Sequence, residues 1–162
     1  MFRKREQVKD FGLTLLEVLL SLVLTGVIAG IVLLFFINHY QLANELKLKS
    51  EREYALLRAG QVLASAVQGA ERITWNNGVL TVSYRQEEQM IEDKYYLADK
   101  DWNGILDLYR EHLTVPNPVA SGLNAFNCFE LQKGLWRISL QAGEGKEAVY
   151  WERIIKQKIS LD

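Results

Sequence analysis

The oxygen-bearing side chains between residues 99 and 107 have the spacing of a calcium-binding loop. Asp99, Asp101 and Asn103 alternate with other residues, Gly104 follows, and Asp107 stands three places further on. Alternate oxygens of such a loop converge on Ca²⁺, and the glycine permits the sharp turn. The twelfth position, where a glutamate closes a complete loop, holds Arg110 instead. Because Asp, Asn and Gly also favour ordinary turns, we prefer a hairpin turn and keep calcium as the alternative.

Other residues that could do chemistry are sparse. The single cysteine, Cys128, excludes an intramolecular disulfide framework and a cysteine-rich zinc site, and we expect it to be a buried apolar side chain of a strand. Neither His39 nor His112 belongs to a recognisable motif with a Ser or Cys nucleophile and an orienting acid. We therefore expect no enzymatic activity and no cofactor other than the calcium considered above.

The charge balance argues against a nucleic-acid binder. The chain of 162 residues has 19 Lys and Arg against 20 Asp and Glu, and no basic stripe accompanies its four tryptophans. We expect no direct contact with nucleic acid.

An uncharged apolar block lies near the N-terminus. Residues 18–37 contain no charged side chain, which meets the length needed for one membrane-spanning helix. Residues 1–12 before the block carry four basic and two acidic side chains, and such a flank stays in the cytoplasm. Residues 39–42 after the block offer no small-residue cleavage site, so the helix should remain on the mature protein. The sequence predicts a single-pass protein of the cytoplasmic membrane with its C-terminal domain outside.

One acid and two glycines stand out in this helix. Glu17 lies one turn inside it, where a carboxylate costs about 2.5–3.5 kcal/mol and is usually paired. Gly26 and Gly30 form a GxxxG pair that allows another helix to approach closely, although this spacing is also frequent by chance.

The residues from Gly12 to Glu17, between a basic leader and the apolar block, resemble the class III signal of type IV prepilins and pseudopilins. The resemblance implies that a prepilin peptidase cuts between Gly12 and Leu13, removes the leader 1–12 and methylates Leu13. The new amine of Leu13 then lies on the same helical face as Glu17, four residues away. In a helical stack, the amine of one subunit could neutralise Glu17 of its neighbour and fix the axial register. The chain has Leu13 where Phe is commonest in the family.

The remainder of the chain predicts an α+β fold. Residues 41–70 contain no proline and show apolar residues at three- and four-residue steps, which predicts an amphipathic continuation of the membrane or filament-core helix 13–40. Residues 71–162 read as a head domain in which antiparallel strands form a sheet packed on the helix. The longest stretch without periodicity, residues 115–122, holds both prolines and is expected to be a loop. The candidate strands are 73–75, 79–84, 94–99, 105–110, 126–131, 135–141 and 148–154, with an Asn-Gly turn after the first.

The order of these pieces is similar to that of the W-type minor pilins and J-type minor pseudopilins. Residues 75–82, 95–97, 108–110, 119–126 and 135–140 carry this likeness. It implies a minor pilin or pseudopilin that primes assembly or stands near the tip of a pilus, a type II secretion pseudopilus or a competence pilus for DNA uptake. The implied partners are the membrane, sister pilins, the prepilin peptidase, a cytoplasmic ATPase and the platform protein of the assembly machine. A membrane-tethered extracytoplasmic binding module is the alternative from a different class.

Overall fold

The computed structural model describes residues 14–158, and its first element is one long helix. Helix α1 spans Leu15–Gly69, 55 residues, and contains both the apolar block and the predicted amphipathic continuation. The chain divides into two compact units after Glu45. The N-terminal part of α1 therefore belongs to one unit, and its C-terminal part, from Leu46, belongs to the other.

Within the described residues, eight antiparallel strands follow α1 and form two sheets. The first sheet has five strands in sequence order and the second has three, so each is a meander of hairpins. The strands of the first sheet are β1 (Arg72–Asn76), β2 (Val79–Gln86), β3 (Gln89–Ala98), β4 (Asp107–His112) and β5 (Val115–Ser121). Those of the second are β6 (Ala125–Gln132), β7 (Leu135–Ala142) and β8 (Val149–Lys156). The α+β class is confirmed, with two sheets where the sequence suggested one.

The first hairpin forms as the sequence predicts. Asn77 and Gly78 have φ angles of 50° and 79° between β1 and β2, the conformation of a two-residue turn that matches strand twist. Two further turns use ordinary residues in the same conformation. Glu87 and Glu88 have φ of 48° and 67°, and Leu113 and Thr114 have 49° and 69°. Because these pairs lack the expected Asn-Gly signature, their sequences gave no indication of a turn.

Because these two turns were not recognised, one predicted strand boundary and one predicted loop are wrong. Strand β3 begins at Gln89 and not at residue 94, so it extends back to the unrecognised turn at Glu87. Residues 115–121, expected to be a loop, form strand β5. Pro116 and Pro118 are tolerated there because β5 is at the edge of its sheet and pairs with β4 alone.

The core lies where the C-terminal part of α1 packs against strands of both sheets. The buried face of α1 consists of Leu56, Ala59, Gly60, Leu63, Ala64 and Val67. It joins one cluster with Leu80 and Val82 of β2 and with Trp136 and Ile138 of β7. At Gly60 the indole of Trp151 fills the space that a Cβ atom would need. Because Gly60 has no side chain, the indole ring of Trp151 in β8 can pack directly against the backbone of α1.

Candidate functional site

The N-terminal part of α1 presents its apolar side chains outward. Every large hydrophobic residue from Leu15 to Ile37 is exposed, with Leu24 57% and Phe36 67% accessible. Near the N-terminus, α1 is long and apolar enough to cross a membrane by its length and composition. Ser21 and Thr25 donate hydrogen bonds to the carbonyls of Val18 and Ser21, so their hydroxyls are satisfied inside the helix. This part of the helix is thus equipped for an apolar environment.

Glu17 is held in a capping box at the start of α1. The backbone N–H of Thr14 donates to Glu17 Oε2 at 2.8 Å, and the N–H of Glu17 donates to Thr14 Oγ1 at 3.3 Å. The Thr14 hydroxyl also donates to the same Oε2 at 3.1 Å. The T-x-x-E spacing is the signal for this arrangement, which our sequence analysis missed. The capping box fixes the carboxylate at the helix start through one oxygen, and no described residue donates a hydrogen bond to Oε1.

Of the other residues predicted for the N-terminal site, the structure describes only the two glycines of the GxxxG pair. Gly12 and Leu13, the predicted cleavage and methylation positions, lie outside the described residues. A Cβ atom added at Gly26 or at Gly30 would meet nothing within 4 Å. The GxxxG strip is therefore open along the helix, as a surface for close helix approach must be.

The predicted calcium residues form the preferred turn between β3 and β4. Asp99 accepts hydrogen bonds from the backbone N–H groups of Asn103 at 3.2 Å and Gly104 at 2.9 Å. Asn103 Oδ1 accepts from the N–H of Ile105, and its Nδ2 donates to Asp101 Oδ2, both at 2.7 Å. Strand β4 begins at Asp107 rather than at residue 105, because Ile105 takes part in this turn. Calcium itself remains a prediction.

A buried ion pair that the sequence analysis missed lies on the first sheet. Asp93 is 2% exposed and receives Arg110 Nη2 at 2.7 Å and His112 Nδ1 at 2.6 Å. Asp93 opposes His112 in the β3–β4 register, and Tyr95 opposes Arg110, so all four side chains share one face. Our predicted strand began at residue 94 and left Asp93 outside it. Had the alternation been continued back from Tyr95, an acid at an inward position would have demanded a basic partner on the neighbouring strand.

This ion pair forms part of the lining of a cavity. The cavity has a volume of about 560 Å³ and lies between the last turns of α1 and strands β2 to β4. Its wall includes Val62 and Ala66 of the helix together with Tyr84, Tyr95 and Arg110 of the sheet. Burial raises the pKa of Tyr95 to about 12, so its hydroxyl stays protonated at neutral pH. The cavity thus offers an apolar wall with phenol hydroxyls and the guanidinium groups of Arg85 and Arg110, which pair with Glu71 and Asp93.

Comparison with protein-family models, with curated proteins and with solved structures gave no match to this chain. The long apolar helix and the antiparallel sheets on which its C-terminal part packs are compatible with a pilin-like fold.

Proposed function

We propose that the chain is a minor pilin or pseudopilin, a non-enzymatic structural subunit of a type IV filament system. The leader 1–12 is removed by a prepilin peptidase, Leu13 becomes the methylated N-terminus, and the subunit waits in the cytoplasmic membrane with its head outside. It then joins sister pilins in a pilus, a secretion pseudopilus or a competence pilus, driven by a platform protein and a cytoplasmic ATPase. We place it in the priming complex or at the tip.

The observation that carries this proposal is the exposed apolar part of α1 with Glu17 at its start. Apolar surface on this scale needs lipid or other helices to cover it. A simple membrane anchor would satisfy that need without an acid in the first turn of its helix. Because an unpaired carboxylate there is costly, Glu17 supports a function in which a cation is brought to it.

The capping box also supports the filament-subunit proposal, because it orients the Glu17 carboxylate before a partner subunit binds. Oε2 of Glu17 is occupied by Thr14, whereas Oε1 accepts no hydrogen bond from the described residues. The amine of an incoming subunit would meet a preoriented acceptor, and a charge-assisted hydrogen bond of this kind is about twice as strong as a neutral one. A subunit docked out of register would leave the acid unpaired in an apolar environment.

The processing step is tested by the mass of the N-terminus. In cells with an intact prepilin peptidase, the purified protein should begin at Leu13 and carry one added methyl group. In cells without the peptidase it should begin at Met1. A chain that begins at Met1 in both cells would refute the proposal and leave only an anchored ectodomain.

The role of Glu17 is tested by Glu17→Gln. Glutamine also completes a capping box, so this change keeps the helix start and removes the charge. We expect Glu17→Gln to be processed at Leu13 but to be lost from sheared filaments and from cross-linked complexes with sister pilins, by about tenfold or more. Glu45→Gln makes the same chemical change at an exposed acid beyond the apolar block and should assemble normally. Wild-type assembly of Glu17→Gln would mean that Glu17 serves only as a helix cap.

A membrane-tethered binding module is the second candidate, and the cavity lined by Tyr95 and Arg110 is the observation in its favour. A tethered module tolerates Glu17→Gln and fails when its cavity is filled. Ala66→Phe places a large side chain at the cavity wall and should leave filament assembly intact if the pilin proposal holds. The two variants together separate the two functions.

A further inference from the structure

Asp107 is a buried acid whose Oδ1 receives no hydrogen bond from the part of the chain that the structure describes. Its residue is 8% exposed, and Oδ1 is buried without a hydrogen bond. No Lys, Arg or His among the described residues forms a salt bridge with it, although Asp93 on the same sheet has two such partners. A buried carboxylate without a hydrogen bond or counter-charge is strongly unfavourable. Asp107 therefore needs a cation that residues 14–158 do not supply.

Asp107 is the first residue of β4, at the end of the loop that joins β3 to β4. Asp107 opposes Ala98 across the two strands, so the loop of residues 99–106 closes directly over this pair. Two further acids, Asp99 and Asp101, stand in that loop, and neither forms a salt bridge with a described residue. The loop thus places two further acids next to the strand end at which Asp107 is buried.

The basic residue of this loop, Lys100, is bound by two tyrosines. Nζ of Lys100 donates to the Tyr96 hydroxyl at 2.8 Å and lies 5.1 Å and 4.8 Å from the ring centres of Tyr96 and Tyr109. The two rings are stacked, so the ammonium is held by aromatic faces as well as by the hydroxyl. This leaves the loop acids to a cation from solution.

The loop backbone already has the turn of a calcium loop. The first acid, Asp99, accepts the N–H groups of the fifth and sixth residues, Asn103 and Gly104, and Gly104 has a φ of 80°. Each carboxylate oxygen has two lone-pair sites, so an amide hydrogen bond leaves one for a metal. Asp107 occupies the ninth position, which also supplies a ligand in such loops.

We propose that the loop of residues 99–107 binds Ca²⁺ through Asp99, Asp101, Asn103, Asp107 and the backbone carbonyl of Ile105. Within residues 14–158, no three Asp, Glu, His or Cys side chains are yet gathered as a metal site, so the ion draws the loop acids towards Asp107. The twelfth ligand is missing because Arg110 pairs with Asp93 instead. We therefore expect a dissociation constant of about 0.1–1 mM, as in extracellular calcium modules. This inference does not depend on the filament proposal.

Trp102 provides the readout. It lies in the middle of the loop and is 91% exposed, so its fluorescence should change as the loop closes around the ion. The full chain in detergent micelles, stripped with a chelator, is titrated with CaCl₂ while Trp102 emission and the unfolding temperature are followed. Trp102→Phe identifies the part of the fluorescence signal that comes from the loop. We expect saturable changes in both measurements, and no comparable change with the same concentration of MgCl₂.

Two loop variants and one matched control decide the result. Asp107→Asn and Asp101→Asn should each weaken calcium binding about tenfold or more. Asp101 is exposed, so its substitution leaves the fold intact even if Asp107→Asn disturbs the strand. Glu88→Gln removes one charge from another exposed hairpin turn and should bind as the wild type does. The proposal is overturned by the absence of saturable binding, by an equal response to Mg²⁺, or by wild-type affinity in Asp101→Asn.

Discussion

The two parts of helix α1 share one secondary structure and differ in where their apolar side chains find partners. Before Glu45, large hydrophobic residues are exposed, as with Leu24 at 57%. After Leu46 a defined face is buried, as with Leu63 at 0%. The contrast follows from the sequence, because the first part is apolar all round and the second has apolar residues on one side only.

This difference separates what the chain needs for folding from what it needs for function. The second part of α1 is stabilised by its own head domain, through contacts such as Gly60 with Trp151. Among the described residues, every side chain of the first part is exposed, so we expect its environment to come from lipid or from other helices. Changes in the second part should therefore act on folding, and changes in the first part on membrane insertion and assembly.

The largest difference between the two regions should appear in thiol reactivity. Cys128 is fully buried in the core cluster, and burial raises its pKa to about 12. Both effects suppress the thiolate, which is the reactive form. We expect a water-soluble maleimide at pH 8 to modify native Cys128 at least about 10³-fold more slowly than a thiol placed at exposed Leu42 in a Cys128→Ser background. The control is denatured protein, in which both thiols should react at similar rates.

The raised pKa of Cys128 predicts how the free energy of unfolding changes at alkaline pH. Below about pH 9 the thiol is protonated in both the folded and the unfolded chain, so it adds no pH dependence. From pH 9 towards 12 only the unfolded chain loses the proton, and the free energy of unfolding should fall by up to about 1.4 kcal/mol per pH unit. Cys128→Ala lacks this contribution, so its deficit relative to the wild type should shrink over that range. A constant deficit would show that Cys128 ionises equally in both states.

A matched pair of leucines tests the comparison on helix α1 itself. Leu63→Ala removes a fully buried side chain and should lower the free energy of unfolding of the head by about 2–5 kcal/mol. Leu24→Ala removes an exposed side chain from the apolar part and should leave that free energy unchanged. Chemical unfolding followed by tryptophan fluorescence measures both. Equal destabilisation by the two substitutions would contradict the claim that only the second part of α1 stabilises the head domain.

The sequence predicted the elements that carry strong periodicity or a well-known turn. The long helix, the Asn77-Gly78 hairpin and the buried Cys128 are confirmed. The missed features depended on context instead. The Glu87-Glu88 turn is imposed by the pairing of β2 with β3, and β5 keeps its prolines only because it is an edge strand. Neither property can be read from residues considered one at a time.

The candidate sites show the same limit. The spacing of Asp99, Asp101 and Asn103 was visible in the sequence, but the lack of a partner for Asp107 appears only when its surroundings are known. The role of Glu17 in subunit pairing stays a prediction, and its hydrogen bonds with Thr14 were overlooked although T-x-x-E is a local signal. The Asp93 pair was missed because the predicted strand began at residue 94, just after Asp93, whereas β3 begins at Gln89.

The smallest expected effect is the coupling energy of an ion pair near the beginning of the packed part of α1. Arg52 Nη1 contacts Glu147 Oε2 at 2.9 Å, a link between the helix and the loop before β8. Glu147 is 71% exposed at its side chain, so solvent screens this pair and its coupling should be at most about 1 kcal/mol. A double-mutant cycle with Arg52→Ala and Glu147→Ala measures it, and the neighbouring exposed pair Lys47 and Glu51 serves as the control. A larger coupling for Arg52 than for Lys47 would place the beginning of the head-stabilised helix at Arg52, and equal coupling would move that beginning to the buried residues further along.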